Sequence, residues 1–137
     1  MQIYFAGSIR GGRKDKDTYL EIINHLKKYG NVLTEHIGND MLDSSGENNI
    51  DDQYIHDRDI DWLLKSDMMI AEVTNPSLGV GYEIGRALEN NKKVICLFKN
   101  NDYQKLSAMI RGAKELVCIE YIDMDDLKNK INNYISN

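Results

Sequence analysis

The sequence predicts an α/β protein built on a five-stranded parallel sheet with helices on both faces. Short apolar runs alternate with helix-like segments along the whole chain, which is the pattern of strands joined by helical crossovers. Residues 68–71 and 94–98 are continuously apolar, as in central strands that are buried on both sides. Right-handed crossovers then favour a flavodoxin-like (Rossmann-like) strand order, 2-1-3-4-5, with a ligand crevice beside strands 1 and 3.

The first half of the chain supplies two strands and two helices. Residues 3–6 form an apolar first strand, and residues 17–29 carry apolar side chains at helical spacing. Gly30 follows as the residue that ends this helix. Residues 31–34 predict a short second strand, and the polar stretch 38–49 predicts a surface loop. The next helix spans residues 51–65.

The second half continues the alternation to the end of the chain. Residues 67–73 predict the third strand, and residues 79–90 predict the helix that follows it. The remaining segments are expected to alternate in the same way: a strand at 93–98, a short helix at 106–113, a strand at 116–121 and a closing helix at 125–135.

Composition restricts the class of protein. The chain has 137 residues and a net charge of −5, so we expect a single domain, 1–137, without a nucleic-acid-binding surface. There is no signal-like or membrane-spanning run. Cys96 and Cys118 lie in separate apolar runs, where buried structural thiols in a reducing cytoplasm are expected. No Cys/His cluster has metal-ligand spacing, and no metal or cofactor is expected.

A glycine-rich loop follows the first strand. Gly7, Gly11 and Gly12 allow backbone N–H groups to turn toward an anion, while Ser8 adds a hydroxyl and Arg10 a planar cation. The loop lacks the sequence of a Walker A motif. It is either a phosphate cradle or an ordinary flexible turn.

The loop after the third strand leads into a helix that carries Glu83. Ser77 caps this helix, or holds a phosphate together with the N–H of Gly79. Glu83 lies near the carboxyl edge of the sheet, yet it could be an ordinary solvated glutamate. Gly81 and Gly85 share one helical face, and close packing against the sheet or a ligand would explain them.

Other polar residues have both structural and functional readings. Tyr4 is either a core residue or a hydroxyl that orients a carboxylate, and Asp59 is by default a surface acid. The histidines have no partner that spacing reveals. The segment around Met109 is apolar for a surface connection, so it is either core or a contact with another subunit.

Five segments, taken in chain order, resemble the 2′-deoxynucleoside 5′-phosphate N-hydrolase family, relatives of the nucleoside 2-deoxyribosyltransferases. They cover nearly the whole chain and are YFAGSIRGGR at 4–13, VLTEH at 32–36, IHDRD at 55–59, AEVT at 71–74 through GRA at 85–87, and LSAMIRGA at 106–113. The resemblance implies hydrolysis of the N-glycosidic bond of a deoxynucleoside monophosphate. Relatives that act on CMP tend to carry Phe at the position of Tyr4, so Tyr4 favours deoxyribose.

The resemblance also implies roles for individual residues. Glu83 corresponds to a nucleophile that attacks C1′, Asp59 to a second acid that protonates or holds the departing base, and Tyr4 to the tyrosine that orients the nucleophile. Ser107 and Met109 correspond to contacts made from a partner subunit, which implies a homodimer. The phosphate contacts map to the two loops: Gly7, Ser8, Ile9, Arg10, Ser77 and Gly79.

Two other functions remain open at this level. One is a nucleoside 2-deoxyribosyltransferase that exchanges bases on unphosphorylated nucleosides, for which the Gly7 loop would have no phosphate to bind. The other is a non-catalytic nucleotide- or FMN-binding module, which does not require a carboxylate at position 83. The preferred base and the physiological role do not follow from the sequence.

Overall fold

The computed structural model describes residues 1–9, 13–34 and 51–136. Its sheet has five parallel strands in the order β2-β1-β3-β4-β5, so the predicted class, strand order and parallel sense are confirmed. The elements in chain order are β1 (Gln2–Gly7), α1 (Arg13–Leu26), β2 (Asn31–Val32), α2 (Asp52–Lys65), β3 (Met68–Glu72), α3 (Leu78–Glu89), β4 (Lys93–Lys99), α4 (Ala108–Arg111), β5 (Val117–Tyr121) and α5 (Met124–Ser136).

Strand alternation divides the core into two layers. Ile3 and Phe5 point to the face covered by α1 and α5, whereas Tyr4 and Ala6 point to the face covered by α2 and α3. Successive side chains of a strand leave opposite faces of the sheet. The two faces therefore carry separate apolar clusters, and the helices lie on both sides as predicted.

The ends of α1 differ from the prediction. The helix begins at Arg13 rather than at residue 17, because its first turn is built from helix-favouring polar residues that leave no apolar period to detect. It ends at Leu26, and the chain to Tyr29 continues as a tighter turn in which the N–H of Tyr29 donates to the carbonyl of Leu26 at 2.9 Å.

Smaller boundary differences occur elsewhere. Strand β2 is only two residues long, although the N–H of Leu33 still donates to the carbonyl of Ile3 at 2.8 Å. Helix α4 is four residues long instead of eight, and Ser107 caps it. The predicted loop at 38–49 lies outside the described residues. Cys96 is buried as expected, whereas Cys118 on the edge strand is only half-buried.

At the exposed edge of the sheet, Lys130 and Arg111 contact Glu120 of β5. Lys130 on α5 donates its Nζ to the backbone carbonyl of Glu120 at 2.7 Å. The carboxylate of Glu120 pairs with Arg111 at 2.6 Å. A polar group of this edge strand is thereby covered by the protein's own side chain. No helix in the described part of the chain is long and apolar enough to cross a membrane.

Of the two explanations given for Gly81 and Gly85, close packing against the sheet is wrong. Both are exposed, and a Cβ added at either would find no atom within 4 Å, because the buried side of α3 is formed by Val80, Ile84 and Ala87. Gly30 is the contrasting case, since a Cβ there would lie 2.1 Å from the carbonyl oxygen of Met1.

These glycines give opposite predictions for alanine substitution. Gly85→Ala should stabilise the protein by up to about 1 kcal/mol, because Ala favours the helix and meets no neighbour. Gly30→Ala should destabilise it by about 1–3 kcal/mol, since backbone must move to accommodate the methyl group. Denaturant unfolding of both variants measures these changes, and a destabilised Gly85→Ala would contradict the open surface on α3.

Candidate active site

Tyr4 and Glu83 meet on the face of the sheet that α2 and α3 cover. Tyr4 is 1% exposed, and its hydroxyl donates a hydrogen bond to Oε2 of Glu83. The two residues are 79 positions apart in the sequence. Tyr4 points from β1 toward the face covered by α2 and α3, and Glu83 lies in the second turn of α3. A buried hydroxyl needs such a partner, so the tyrosine fixes the orientation of this carboxyl group.

The start of α3 sets the position of Glu83. Ser77 has extended backbone angles and its Oγ accepts from the N–H of Val80 at 3.3 Å, which confirms the predicted cap. Val80 and Ile84, on either side of Glu83 in sequence, are buried against the sheet. Their packing orients the helix so that Glu83 faces Tyr4 and α2.

Burial raises the pKa of Glu83 to about 7. The hydrogen bond from Tyr4 favours the ionised form and works against this shift, whereas the negative charge of Asp59 adds to it. Burial also raises the pKa of Tyr4, and the charges of Glu83 and Asp59 raise it further. Tyr4 therefore remains a protonated donor, while Glu83 changes charge near neutral pH.

Asp59 is brought to the same place by α2. Asp51 caps this helix through the N–H of Tyr54 at 2.7 Å, and Ile60 and Leu63 are buried against the sheet. Asp59 is half-buried, and its charge acts on both Tyr4 and Glu83. The three residues expected to carry catalysis thus form one cluster.

Arg58 is a member of this cluster that the sequence argument missed. Its Nε donates to Oδ1 of Asp59 at 3.0 Å, and its Nη2 lies 3.0 Å from the same oxygen. Its positive charge also opposes the upward shift in the pKa of Tyr4. Only its adjacency to Asp59 in the sequence could have indicated this contact.

A second missed contact joins α2 to α3 beside the site. Nε2 of His56 lies 2.9 Å from the hydroxyl of Tyr82, which also accepts from Nη1 of Arg86 at 2.6 Å. Nδ1 of His56 lies 2.8 Å from Asp57. Because a carboxylate only accepts hydrogen bonds, Nδ1 of His56 is the donor to Asp57. These contacts tie together the two helices that carry Asp59 and Glu83.

The predicted phosphate loops start side by side. Gly7 ends β1 opposite Glu72 of β3, and a Cβ on Gly7 would lie 2.8 Å from the ring of Tyr19, so this position admits only glycine without a shift. Ser8 is buried, and Ile9 is half-exposed. Arg10 lies outside the described residues.

Glu72 fixes the start of the loop after β3. It is buried and accepts from the N–H of Thr74 at 2.7 Å, from its hydroxyl at 2.9 Å, and from the hydroxyl of Tyr121. Burial raises the pKa of Glu72, and these three donors oppose the shift. The hydroxyl of Thr74 also accepts from the N–H of Lys99 at 2.9 Å. This buried carboxyl group therefore joins the loop leading to Ser77 with β5 and, through Thr74, with β4.

Ser77, Ser107 and Met109 line a different space. They border a cavity of about 540 Å³ between the start of α3 and α4, together with Leu78, Tyr82 and others. Tyr4 and Glu83 are not among its lining residues. Met109 is 82% exposed, and Gly79 is exposed in the first turn of α3. Another cavity, of about 620 Å³ between β5 and α5, contains none of the predicted site residues.

The cluster has the chemistry of a glycosyl-transferring site. A half-buried carboxylate that is oriented by a neutral tyrosine and flanked by a second acid can attack an anomeric carbon and release a leaving group. The sequence model described as nucleoside 2-deoxyribosyltransferase matches residues 3–132, and the chain belongs to this family.

Comparison with individual relatives shows which branch of the family this chain belongs to. The chain is 52% identical over 136 residues to the 5-hydroxymethyl-dUMP N-hydrolase of Danio rerio, covering 98% of this chain and 95% of the relative. It is 50% identical over 114 residues to the Homo sapiens protein of the same name, covering 82% and 66% of the two chains. This chain therefore belongs to the branch of the family formed by the deoxynucleoside 5′-phosphate N-hydrolases.

The fold is shared with a more distant solved structure. The CMP N-glycosidase of Clostridium botulinum aligns with a TM-score of 0.68 at 19% identity, over 98% of this chain and 99% of that one. At this identity the match supports the common fold and nothing finer.

Glu83→Gln should stabilise the folded protein most at alkaline pH. The pKa of Glu83 is raised in the fold, so ionisation costs folding free energy, and stability is lost as pH rises from the unfolded-state pKa through about 7. Above pH 8 the variant should gain on the order of 3 kcal/mol, and less near pH 5. Thermal unfolding at both pH values measures the difference. The exposed Glu89→Gln serves as control, and an equal gain in both variants would contradict the burial cost.

Proposed function

We propose that this protein hydrolyses the N-glycosidic bond of 2′-deoxynucleoside 5′-monophosphates, giving the free base and 2-deoxyribose 5-phosphate. The observation that carries the proposal is the hydrogen bond from buried Tyr4 to half-buried Glu83, beside Asp59, in a chain that is about half identical to proteins named as 5-hydroxymethyl-dUMP N-hydrolases. The names of these relatives favour a 5-substituted deoxyuridine monophosphate among the substrates.

The reaction would proceed through a covalent intermediate. Ionised Glu83 attacks C1′, the C1′–N bond breaks, and its electron pair leaves with the base. Water then attacks C1′ and breaks the bond to Glu83, so the configuration at C1′ is retained. Tyr4 holds the carboxylate oxygen throughout as a hydrogen-bond donor. Asp59 acts on the base side of the sugar. The reaction requires neither a metal nor another cofactor.

The phosphate would be held by the ends of two neighbouring strands. Backbone N–H groups of Gly7, Ser8 and Ile9 and the side chain of Arg10 supply donors from the first loop. Ser77 and Gly79 supply donors at the N-terminus of α3, where the helix dipole favours an anion. The adjacency of β1 and β3 supports a single phosphate shared by both loops.

The working unit would be a homodimer with shared sites. Within one chain Ser107 and Met109 line a cavity whose lining does not include Glu83, and we assign their contribution to the site of a second copy. Exposed apolar side chains surround that cavity, with Leu78 96% exposed and Met109 82% exposed. A symmetric interface over this surface would bring these residues to the partner's site.

A cytoplasmic location fits the cysteines. Cys96 and Cys118 occupy paired positions on adjacent strands, and both are free thiols. Free thiols at such paired positions are typical of a reducing compartment.

Base release from nucleotides tests the proposed activity. Chromatography should detect free base from 5-hydroxymethyl-dUMP or another deoxynucleoside monophosphate, and little from GMP or deoxyguanosine. Glu83→Gln should abolish release, and wild-type kcat/KM should rise as pH increases through about 7, where Glu83 ionises. Base exchange on unphosphorylated deoxynucleosides, without hydrolysis of monophosphates, would instead identify a 2-deoxyribosyltransferase.

Mixed dimers test the shared site. Glu83→Gln and Met109→Asp variants should each be weakly active or inactive alone, whereas refolded mixtures should regain up to about a quarter of wild-type activity, because half of the dimers are mixed and each holds one intact site. Light scattering on each variant checks that it is still dimeric. Mixtures no more active than their components would contradict contributions across the interface.

A further inference from the structure

A guanidinium group stands beside the second acid of the site. Arg58 approaches Oδ1 of Asp59 with both Nε and Nη2, each at 3.0 Å. The two side chains are 17% and 25% exposed, so the pair is shielded from much of the screening that weakens surface ion pairs. Such a charge-assisted contact stabilises the ionised carboxylate of Asp59 relative to its protonated form.

The aromatic residues of α2 hold Arg58 in place. Its guanidinium carbon lies 5.8 Å from the ring centroid of Tyr54 and 4.9 Å from that of Trp62. These residues are four positions before and after Arg58, so all three share one face of the helix. Cation–π contacts on both sides restrict the guanidinium, and its contact with Asp59 does not depend on a freely moving side chain.

The charge of Arg58 balances the other groups of the site. Tyr4 on β1 and Glu83 on α3 face Asp59, and the charges of Glu83 and Asp59 favour the neutral hydroxyl of Tyr4 while Arg58 opposes them. With Glu83 ionised, the described residues of the cluster, Glu83, Asp59 and Arg58, carry two negative charges and one positive charge. A cation at this position compensates the charge of Asp59 where the base departs.

The protonation state of Asp59 decides how the base leaves. A protonated Asp59 could transfer its proton to the base as the C1′–N bond breaks, which suits purines and cytosine. An ionised Asp59 has no proton to give, so the base departs as an anion carrying the electron pair of the broken bond. The rate then depends on how well the base stabilises negative charge.

We propose that Arg58 is a positioning residue that keeps Asp59 ionised, so that the enzyme selects bases able to leave as stabilised anions. Uracils with electron-withdrawing groups at C5 are this class of leaving group. The proposal rests on the proposed glycosidase function. In the second step the same carboxylate accepts a proton from the attacking water as the C1′–O bond to Glu83 breaks, and that proton passes through solvent to the base anion.

A leaving-group series tests the role of Arg58. Wild-type protein, Arg58→Gln and Arg58→Lys are assayed with dUMP, 5-hydroxymethyl-dUMP, 5-bromo-dUMP and dGMP across a range of pH. In the wild type, kcat should rise with the acidity of the free base. In Arg58→Gln the preference for 5-bromo-dUMP over dUMP should fall by roughly tenfold, which is within the roughly 100-fold or more that a general acid contributes, mainly in kcat rather than KM. The activity of Arg58→Gln on dUMP should also decline at high pH, where Asp59 loses its proton.

The other variants separate charge from structure. Arg58→Lys keeps a cation and should retain the wild-type preference in large part. Arg86→Gln is the matched control, because Arg86 also lies over an aromatic ring, 5.5 Å from the centroid of Tyr82, yet belongs to α3 and does not contact Asp59; it should leave the preference unchanged. Equal preferences and pH profiles in wild type and Arg58→Gln would overturn the proposal.

A measurement without turnover keeps this test separate from the proposed activity. Carboxyl ¹³C NMR follows the titration of Asp59, whose midpoint should move to higher pH in Arg58→Gln and stay near the wild-type value in Arg86→Gln. An unmoved midpoint in Arg58→Gln would overturn the role of Arg58. A wild type that releases no base from any monophosphate would overturn the proposed function instead.

Discussion

The hydrogen bond from Tyr4 to Glu83 is the interaction on which the site depends. Tyr4 can make it only because β1 alternates its side chains between two faces, and Glu83 can accept it only because Ser77 starts α3 at a fixed point. The contact holds a carboxyl group in an apolar layer that would otherwise favour its neutral form. Side-chain alternation in β1 and helix capping at Ser77 thus together determine the hydrogen bond between Tyr4 and Glu83.

Glu72 is buried and Glu83 is half-buried, and the two carboxyl groups differ in their hydrogen-bond partners. Glu72 receives hydrogen bonds from the N–H and hydroxyl of Thr74 and from Tyr121, which engage both of its oxygens. Among the described contacts, Glu83 receives one, from Tyr4. Glu72 is therefore occupied in holding strands and a loop together, while Oε1 of Glu83 has no hydrogen-bond partner among these described contacts.

Most of the architecture could be predicted from the sequence, because the periodicities of strands and helices are local signals. Continuous apolar runs at β3 and β4, and the crossover rule, were enough for the strand order. The cap at Ser77 was also predictable, since it depends on residues within one turn. The roles given to Tyr4, Glu83 and Asp59 came from a family resemblance; spacing alone had left each of them with a structural reading.

The missed contacts arise both within α2 and between α2 and α3. Arg58 became part of the site through its stack with Trp62 and its approach to Asp59, and His56 through the packing of α2 on α3. Helical spacing predicts which residues share a face, but not which other helix that face meets. For the same reason helical spacing placed Gly81 and Gly85 on one face of α3 without showing that this face does not pack against the sheet.

The side chain of Lys130 has a consequence for how copies of this chain can assemble. Its Nζ donates a hydrogen bond to the carbonyl oxygen of Glu120 on β5. The strand at the opposite edge of the sheet, β2, pairs with β1 over only two residues. A neighbouring molecule cannot lengthen the sheet at Glu120 without displacing that ammonium group. Continuous sheets that run from one molecule into the next are thereby disfavoured at this edge.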